Sequence, residues 1–145
     1  MNVLFICRAN AIRSQVAEAF YNHLALEGKA SSAGVDLINS TQGDDIQVPT
    51  MVCDLMSQHE IDTSFQKRDW LTEEMVKEAD VVIVLTDYKL PEYISEAKRL
   101  VDWSDIPDIV SASEEEKMVV SEEIKKRVQT LIDEQNTGDG MLYND

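Results

Sequence analysis

Five consecutive apolar residues, Val81-Val82-Ile83-Val84-Leu85, constrain this chain more than any other feature. No polar residue alternates with them, so a strand made of them is buried on both faces. Val3-Leu4-Phe5-Ile6 is a second run of the same kind near the start. Strands of this type belong in parallel sheets, with helices packed on each side.

The intervening segments supply those helices. In 14–27, Val16, Phe20 and Leu24 repeat at four-residue spacing, Ala17 and Ala19 sit beside them, and Gly28 is a natural terminator. Ala30 to Val35 is a weaker strand candidate, and 36–47 reads as a loop. Val48, Met51, Val52, Leu55 and Met56 fall at helical spacing, with Pro49 tolerated in a first turn. Thr72 opens a short helix with Glu73 and Glu74 in its first turn. Pro91 to Arg99 reads as helical and Leu100-Val101 as a short strand. Ser113 with Glu116 forms a capping-box pattern, followed by a long helix with Val120, Ile124, Val128, Leu131 and Ile132 on one stripe. The order β-α-β-α-α-β-α-β-α predicts a three-layer α/β sandwich. Its centre is a four-stranded parallel sheet covered by helices on both faces. In such sheets the site lies at the carboxyl ends of the strands, which places Cys7 at that edge.

The expected organisation is one domain over residues 1–135 and a polar tail over 136–145, where Gly138 and Gly140 interrupt any helical period. The chain carries 13 basic and 28 acidic residues, a net charge of −15. That balance argues against nucleic acid or an anionic membrane as partner, so an anion site here must be built locally. No apolar run approaches membrane-spanning length, and the start has neither a cationic lead nor a long apolar region. Two cysteines, Cys7 and Cys53, fit a reducing compartment rather than a disulfide scaffold. The expected location is therefore the cytoplasm. No metal site is expected, because His23 and His59 form no ligand-spaced cluster with the thiols. No organic cofactor is implied.

Cys7-Arg8-Ala9-Asn10-Ala11-Ile12-Arg13-Ser14 joins the first strand to the first helix. A loop feeding a helix N-terminus turns several backbone N–H groups toward one point and makes a cradle for a tetrahedral oxyanion. The same field favours a thiolate at Cys7. The planar fork of Arg13 can clamp two oxygens of the anion. Asn10 suits a left-handed position in the loop, and Ser14 can cap the helix or hydrogen-bond the thiolate. Cys53 reads as core packing, His23 and His59 as surface or helix-edge residues, and Trp70 and Trp103 as anchors of core or pocket wall.

Cys-x5-Arg-Ser at the end of a first strand resembles the low-molecular-weight protein tyrosine phosphatase superfamily, which includes related arsenate reductases. Arg13-Ser14-Gln15-Val16-Ala17-Glu18 is similar to the helix start of the arsenate reductase branch. Ser32-Ala33-Gly34-Val35, Pro49, Ile61-Asp62, Ala79-Asp80-Val81-Val82 and the segment from Trp103 to Asp108 continue the resemblance. It implies a phosphate-binding loop from Arg8 through Ser14, with Cys7 as nucleophile, Arg13 as anion clamp and Asp108 as general acid. Asp105 is a rival acid in the same loop. The chain departs from the family at Ala9, where glycine is usual, at Ile12, where a second cysteine is common, and at Ile109, where proline follows the acid.

Three functions follow as expectations. The first is a phosphatase that hydrolyses phosphomonoesters, including those on proteins, through a phosphocysteine. The second is an arsenate reductase served by an external thiol, since Leu85 to Pro91 contains none of the resolving cysteines that thioredoxin-coupled members carry. The third is an inactive anion-binding module. The expected partner is a small oxyanion or phosphomonoester, and the expected state a monomer or weak dimer.

Overall fold

The computed structural model describes residues 1–36 and 48–144, so the loop expected over 36–47 lies almost wholly outside the described residues. Nine elements follow in the expected order. They are β1 (Asn2–Cys7), α1 (Arg13–Leu24), β2 (Lys29–Gly34), α2 (Thr50–Ser57), α3 (Glu73–Glu78), β3 (Val81–Val84), a 3-10 turn (Glu92–Glu96), β4 (Leu100–Asp102) and α4 (Glu114–Asn144).

The four strands form one parallel sheet in the order β2-β1-β3-β4. Its two faces are sorted by the period of the strands. Val3, Phe5, Val81 and Ile83 face a large core shared with α1, α2 and α4, while Leu4, Ile6, Val82 and Val84 face a smaller one shared with α3. That is why neither run alternates with polar residues: each side of each strand has a layer on it. Phe5, Ile6 and Ile83 are completely buried, each worth roughly 1.5–3 kcal/mol against exposure.

The chain leaves β1 for β2 on one side and enters β3 on the other. The crevice outside the carboxyl ends of β1 and β3 is therefore the switch point where such sheets bind ligands. Cys7 closes β1 at that edge, paired with Gly34.

Several boundaries differ from the sequence reading. Helix α1 stops at Leu24 because Ala25 turns extended (φ −77, ψ 133). Gly28 comes later and has φ +91. A Cβ there would lie 2.5 Å from the Met1 carbonyl oxygen, so Gly28 turns the chain into β2 rather than terminating the helix. The helix expected over 91–99 is a five-residue 3-10 turn, too short for α-helical bonding to propagate. Thr72 and Ser113 cap as expected, accepting from the N–H groups of Met75 and Glu116 at 3.2 and 3.1 Å. Helix α4 runs on to Asn144, so the backbone over 136–144 is helical; Gly138 and Gly140 weaken a helix by about 1 kcal/mol each without removing a donor, as proline would.

Candidate active site

The loop between β1 and α1 is held by its carbonyls. Cys7 O accepts from Val35 N at 3.4 Å and Arg8 O from Asp36 N at 2.7 Å. Ala9 O accepts from Nε and Nη2 of Arg68 at 3.2 and 3.0 Å. Asn10 O accepts from Gln15 Nε2 at 3.1 Å. In a trans peptide the N–H points opposite to the preceding C=O. Four successive carbonyls drawn to surrounding partners therefore turn the N–H groups of Arg8, Ala9, Asn10 and Ala11 the other way. A run of amides freed from internal partners in this way is the material of an anion nest.

Asn10 is the pivot. It sits at φ 51, the left-handed region that asparagine tolerates, and is fully buried. Its Oδ1 accepts from Asp69 N at 2.7 Å and from Gln15 Nε2 at 3.1 Å. Its Nδ2 donates to Ser14 Oγ at 2.7 Å. Ser14 Oγ lies 2.9 Å from Cys7 Sγ. Ser14 does not cap the helix: Ile12 holds the N-cap position without a side-chain bond, and Ser14 lies inside the first turn.

Arg13 reaches across the crevice. Its Nη1 donates to Leu85 O at 2.7 Å and to Ile106 O at 3.4 Å, which fixes the guanidinium between the segments that follow β3 and β4. Arg8 makes a different set of contacts. Its Nε and Nη2 donate to Asp36 Oδ2 at 3.2 and 3.1 Å, and its guanidinium lies 4.5 Å from the centre of the Tyr88 ring.

A cavity of about 270 Å³ brings the expected residues together. Cys7, Arg8, Arg13 and Asp108 line it, with Ala9, Ala11, Ile12 and Val110 as apolar wall. The side chains of Asn10 and Ser14 do not line it; they are committed to the network behind the loop. A second cavity of about 250 Å³ shares Arg8, Arg13 and Asp108 and adds Thr86, Tyr88 and Ser104.

The two candidate acids have different surroundings. Asp105 receives both Nη atoms of Arg127, at 2.8 and 2.6 Å, and these bonds hold its carboxyl below the usual carboxylate range. Among the described residues, Asp108 accepts only from Val110 N, at 3.0 Å in an Asx turn, and it lines the Cys7 cavity.

Several residues that build the site carry no local signal in the sequence. Gln15, Arg68 and Asp69 brace the loop from behind, and Gln66 Nε2 donates to Gln15 Oε1 at 2.7 Å. Glu18 faces the same brace: its Oε1 accepts from Ser32 Oγ at 2.7 Å, and burial pushes its carboxyl up to about 7, with Asp69 nearby adding to the rise. Burial also raises Asp69. Cys53 is half-buried in α2 and does not line the Cys7 cavity. His59 is more buried than expected. Its ring meets the Phe20 ring edge-on at 4.9 Å, Nε2 lies 3.0 Å from Ser121 Oγ, and burial lowers its pKa. Trp103 packs against Phe5, whereas Trp70 stays half-exposed beside Gly34. Among the described residues, no three His, Cys, Asp or Glu side chains are placed to hold a metal ion, and no helix is long and apolar enough to cross a membrane.

Known proteins share this fold. The fold is similar to that of an arsenate reductase in its phosphate-binding state, 28% identical over 92% of this chain and 97% of that one, with a TM-score of 0.75. It is similar to a low-molecular-weight protein tyrosine phosphatase from T. tengcongensis, 23% identical over 92% and 99%, with a TM-score of 0.74. It is also similar to the arginine phosphatase YwlE carrying a phosphorylated active-site serine, 19% identical over 94% and 96%, with a TM-score of 0.79. No curated protein sequence matches the chain. Residues 2–138 match the model of the low molecular weight phosphotyrosine protein phosphatases, and the chain belongs to that family.

Proposed function

We propose that this protein is a phosphatase that hydrolyses phosphomonoesters through a phosphocysteine on Cys7. The observation that carries this reading is the loop: four successive carbonyls are tied to partners outside it, which turns their amides the other way, and Cys7, Arg13 and Asp108 line one cavity beside it. The phosphoryl oxygens would be held by those amides and by the outer face of Arg13, which gain strength as charge builds on the equatorial oxygens. The Cys7 thiolate attacks phosphorus, an S–P bond forms, and the bond to the leaving oxygen breaks. Asp108 gives its proton to that oxygen. Water then attacks phosphorus, Asp108 takes the water proton, and the S–P bond breaks to release phosphate and the thiolate. Asp108 fits this role better than Asp105, whose oxygens are occupied by Arg127.

Arsenate reduction is the second reading, favoured by the 28% identity to an arsenate reductase. Cys7 would displace water from arsenate and form an S–As bond. With Cys53 away from the cavity, an external small thiol would attack the Cys7 sulfur, releasing arsenite and leaving a mixed disulfide on Cys7, and a second would restore the Cys7 thiol, the two thiols together supplying the two electrons and leaving as one disulfide. The two readings separate in one experiment on the native chain and Cys7→Ser. Hydrolysis of p-nitrophenyl phosphate that the serine abolishes supports the phosphatase. Thiol-dependent loss of arsenate without phosphate release supports the reductase, and phosphate binding with neither activity leaves the inactive module.

A further inference from the structure

On the far side of the sheet edge, β4 and α4 enclose a cavity of about 350 Å³ that shares no residue with either cavity at Cys7. Val101, Trp103 and Leu131 line it with apolar surface. Arg99, Lys126 and Arg127 bring three cations to the same cavity, against two carboxylates, Glu123 and Glu134. Glu123 is taken by Arg127 Nε at 2.8 Å. Arg127 is already paired with Glu123 and Asp105, which leaves Arg99 and Lys126 facing Glu134; two such cations beside Trp103 complement a small anion with an apolar body.

Arg127 connects this cavity to the candidate acid. Its guanidinium lies 5.9 Å from the Trp103 ring centre and holds Asp105 through both Nη atoms. One residue on, Ile106 O accepts from Arg13 Nη1, and two residues further stands Asp108. A second anion reaching Arg127 competes with Asp105 for the same donors.

We infer that the β4–α4 cavity is an effector site for small aromatic carboxylates, whose carboxylate draws Arg127 away from Asp105 and so loosens the loop that carries Asp108. The coupling rests on Asp108 acting as proposed above; the binding does not, and is read separately.

The test titrates 1-naphthoate into full-length Trp70→Phe protein, in which Trp103 is the one remaining tryptophan. The expected result is saturable quenching with a midpoint below about 1 mM, unaffected by inorganic phosphate. Arg99→Ala combined with Lys126→Ala should abolish it, and so should Thr130→Tyr, which fills the cavity from the exposed face of α4. Asp105→Asn should tighten binding about fivefold, because it frees Arg127. Saturating naphthoate should slow phenyl phosphate turnover by about fivefold. Absence of saturable quenching, quenching that survives both cavity changes, or displacement by phosphate overturns the site. Quenching that behaves as expected while phenyl phosphate turnover stays constant overturns the coupling.

Discussion

Ser14 Oγ lies 2.9 Å from Cys7 Sγ while accepting from Asn10 Nδ2 at 2.7 Å. Either group can donate while Cys7 keeps its proton, but the attacking thiolate has none to give, and toward it the Ser14 hydroxyl is the donor. The Asn10 amide is itself oriented by Asp69 N, which donates to its Oδ1 at 2.7 Å. A donor aimed at sulfur also holds the nucleophile in one orientation.

Ser14→Ala removes that donor without touching the cavity wall. Hydrogen bonds to charged groups contribute about 1.5–3 kcal/mol, so alkylation of Cys7 by iodoacetamide at neutral pH should slow about tenfold. An unchanged rate at neutral pH would mean that Ser14 does not donate to sulfur.

The two loop aspartates should separate cleanly. Asp108→Asn should lower phenyl phosphate turnover about 100-fold or more, because that leaving group needs a proton. The loss should be smaller for p-nitrophenyl phosphate, whose leaving group is more acidic. Asp105→Asn removes an ion pair with Arg127 rather than a proton donor and should cost at most about fivefold. Equal losses in the two variants would remove the distinction drawn from their partners.

Glu18 sets an expected pH dependence of stability. Burial raises its carboxyl from 4.5 to about 7, so the folded state holds this proton more tightly than the unfolded chain. Below pH 4.5 the group is protonated in both states and carries no penalty. Between pH 4.5 and 7 the unfolded chain ionises first, and stability falls by an amount on the order of 3 kcal/mol that is complete above pH 7. Glu18→Gln keeps a partner for Ser32 and cannot ionise. Its stability relative to the native chain, measured by urea unfolding, should rise from pH 5 to pH 8. A difference that does not change over this range would show that Glu18 is well solvated.

How much of this was legible depended on the distance over which each residue finds its partner. Val3–Ile6 and Val81–Leu85 announced a sheet buried on both faces because the signal lies within each run. Cys7, Asn10 and Arg13 were readable because one tight loop carries all three. Arg68 and Asp69 were not, because their partners in the loop, Ala9 and Asn10, lie 59 residues away. Gln15 occupies a helix position that the apolar stripe leaves ambiguous, and only the fold shows it fully buried, joining Asn10, Lys67 and Gln66. The choice between Asp105 and Asp108 likewise rests on Arg127, which lies 22 residues after Asp105. Of the two tasks read for Ser14, the contact with Cys7 is present and the cap is not, while Gly28 was given the wrong task, since it makes room for the Met1 carbonyl rather than ending the helix.

Arg68 supplies the last prediction. It fixes the Ala9 carbonyl through two donors and so aims the Asn10 N–H, yet it does not line the Cys7 cavity. Arg68→Ala should therefore weaken inorganic phosphate as a competitive inhibitor about tenfold, the equivalent of one charge-assisted hydrogen bond. Alkylation of Cys7 should change less than in Ser14→Ala, because the Ser14 donor remains. Arg68→Lys, a single point donor, should recover part of the affinity but not all, since one ammonium cannot reproduce the two-pronged grip. Unchanged phosphate inhibition in the alanine variant would mean that the loop holds its shape without this tie and that the amides converge for local reasons alone.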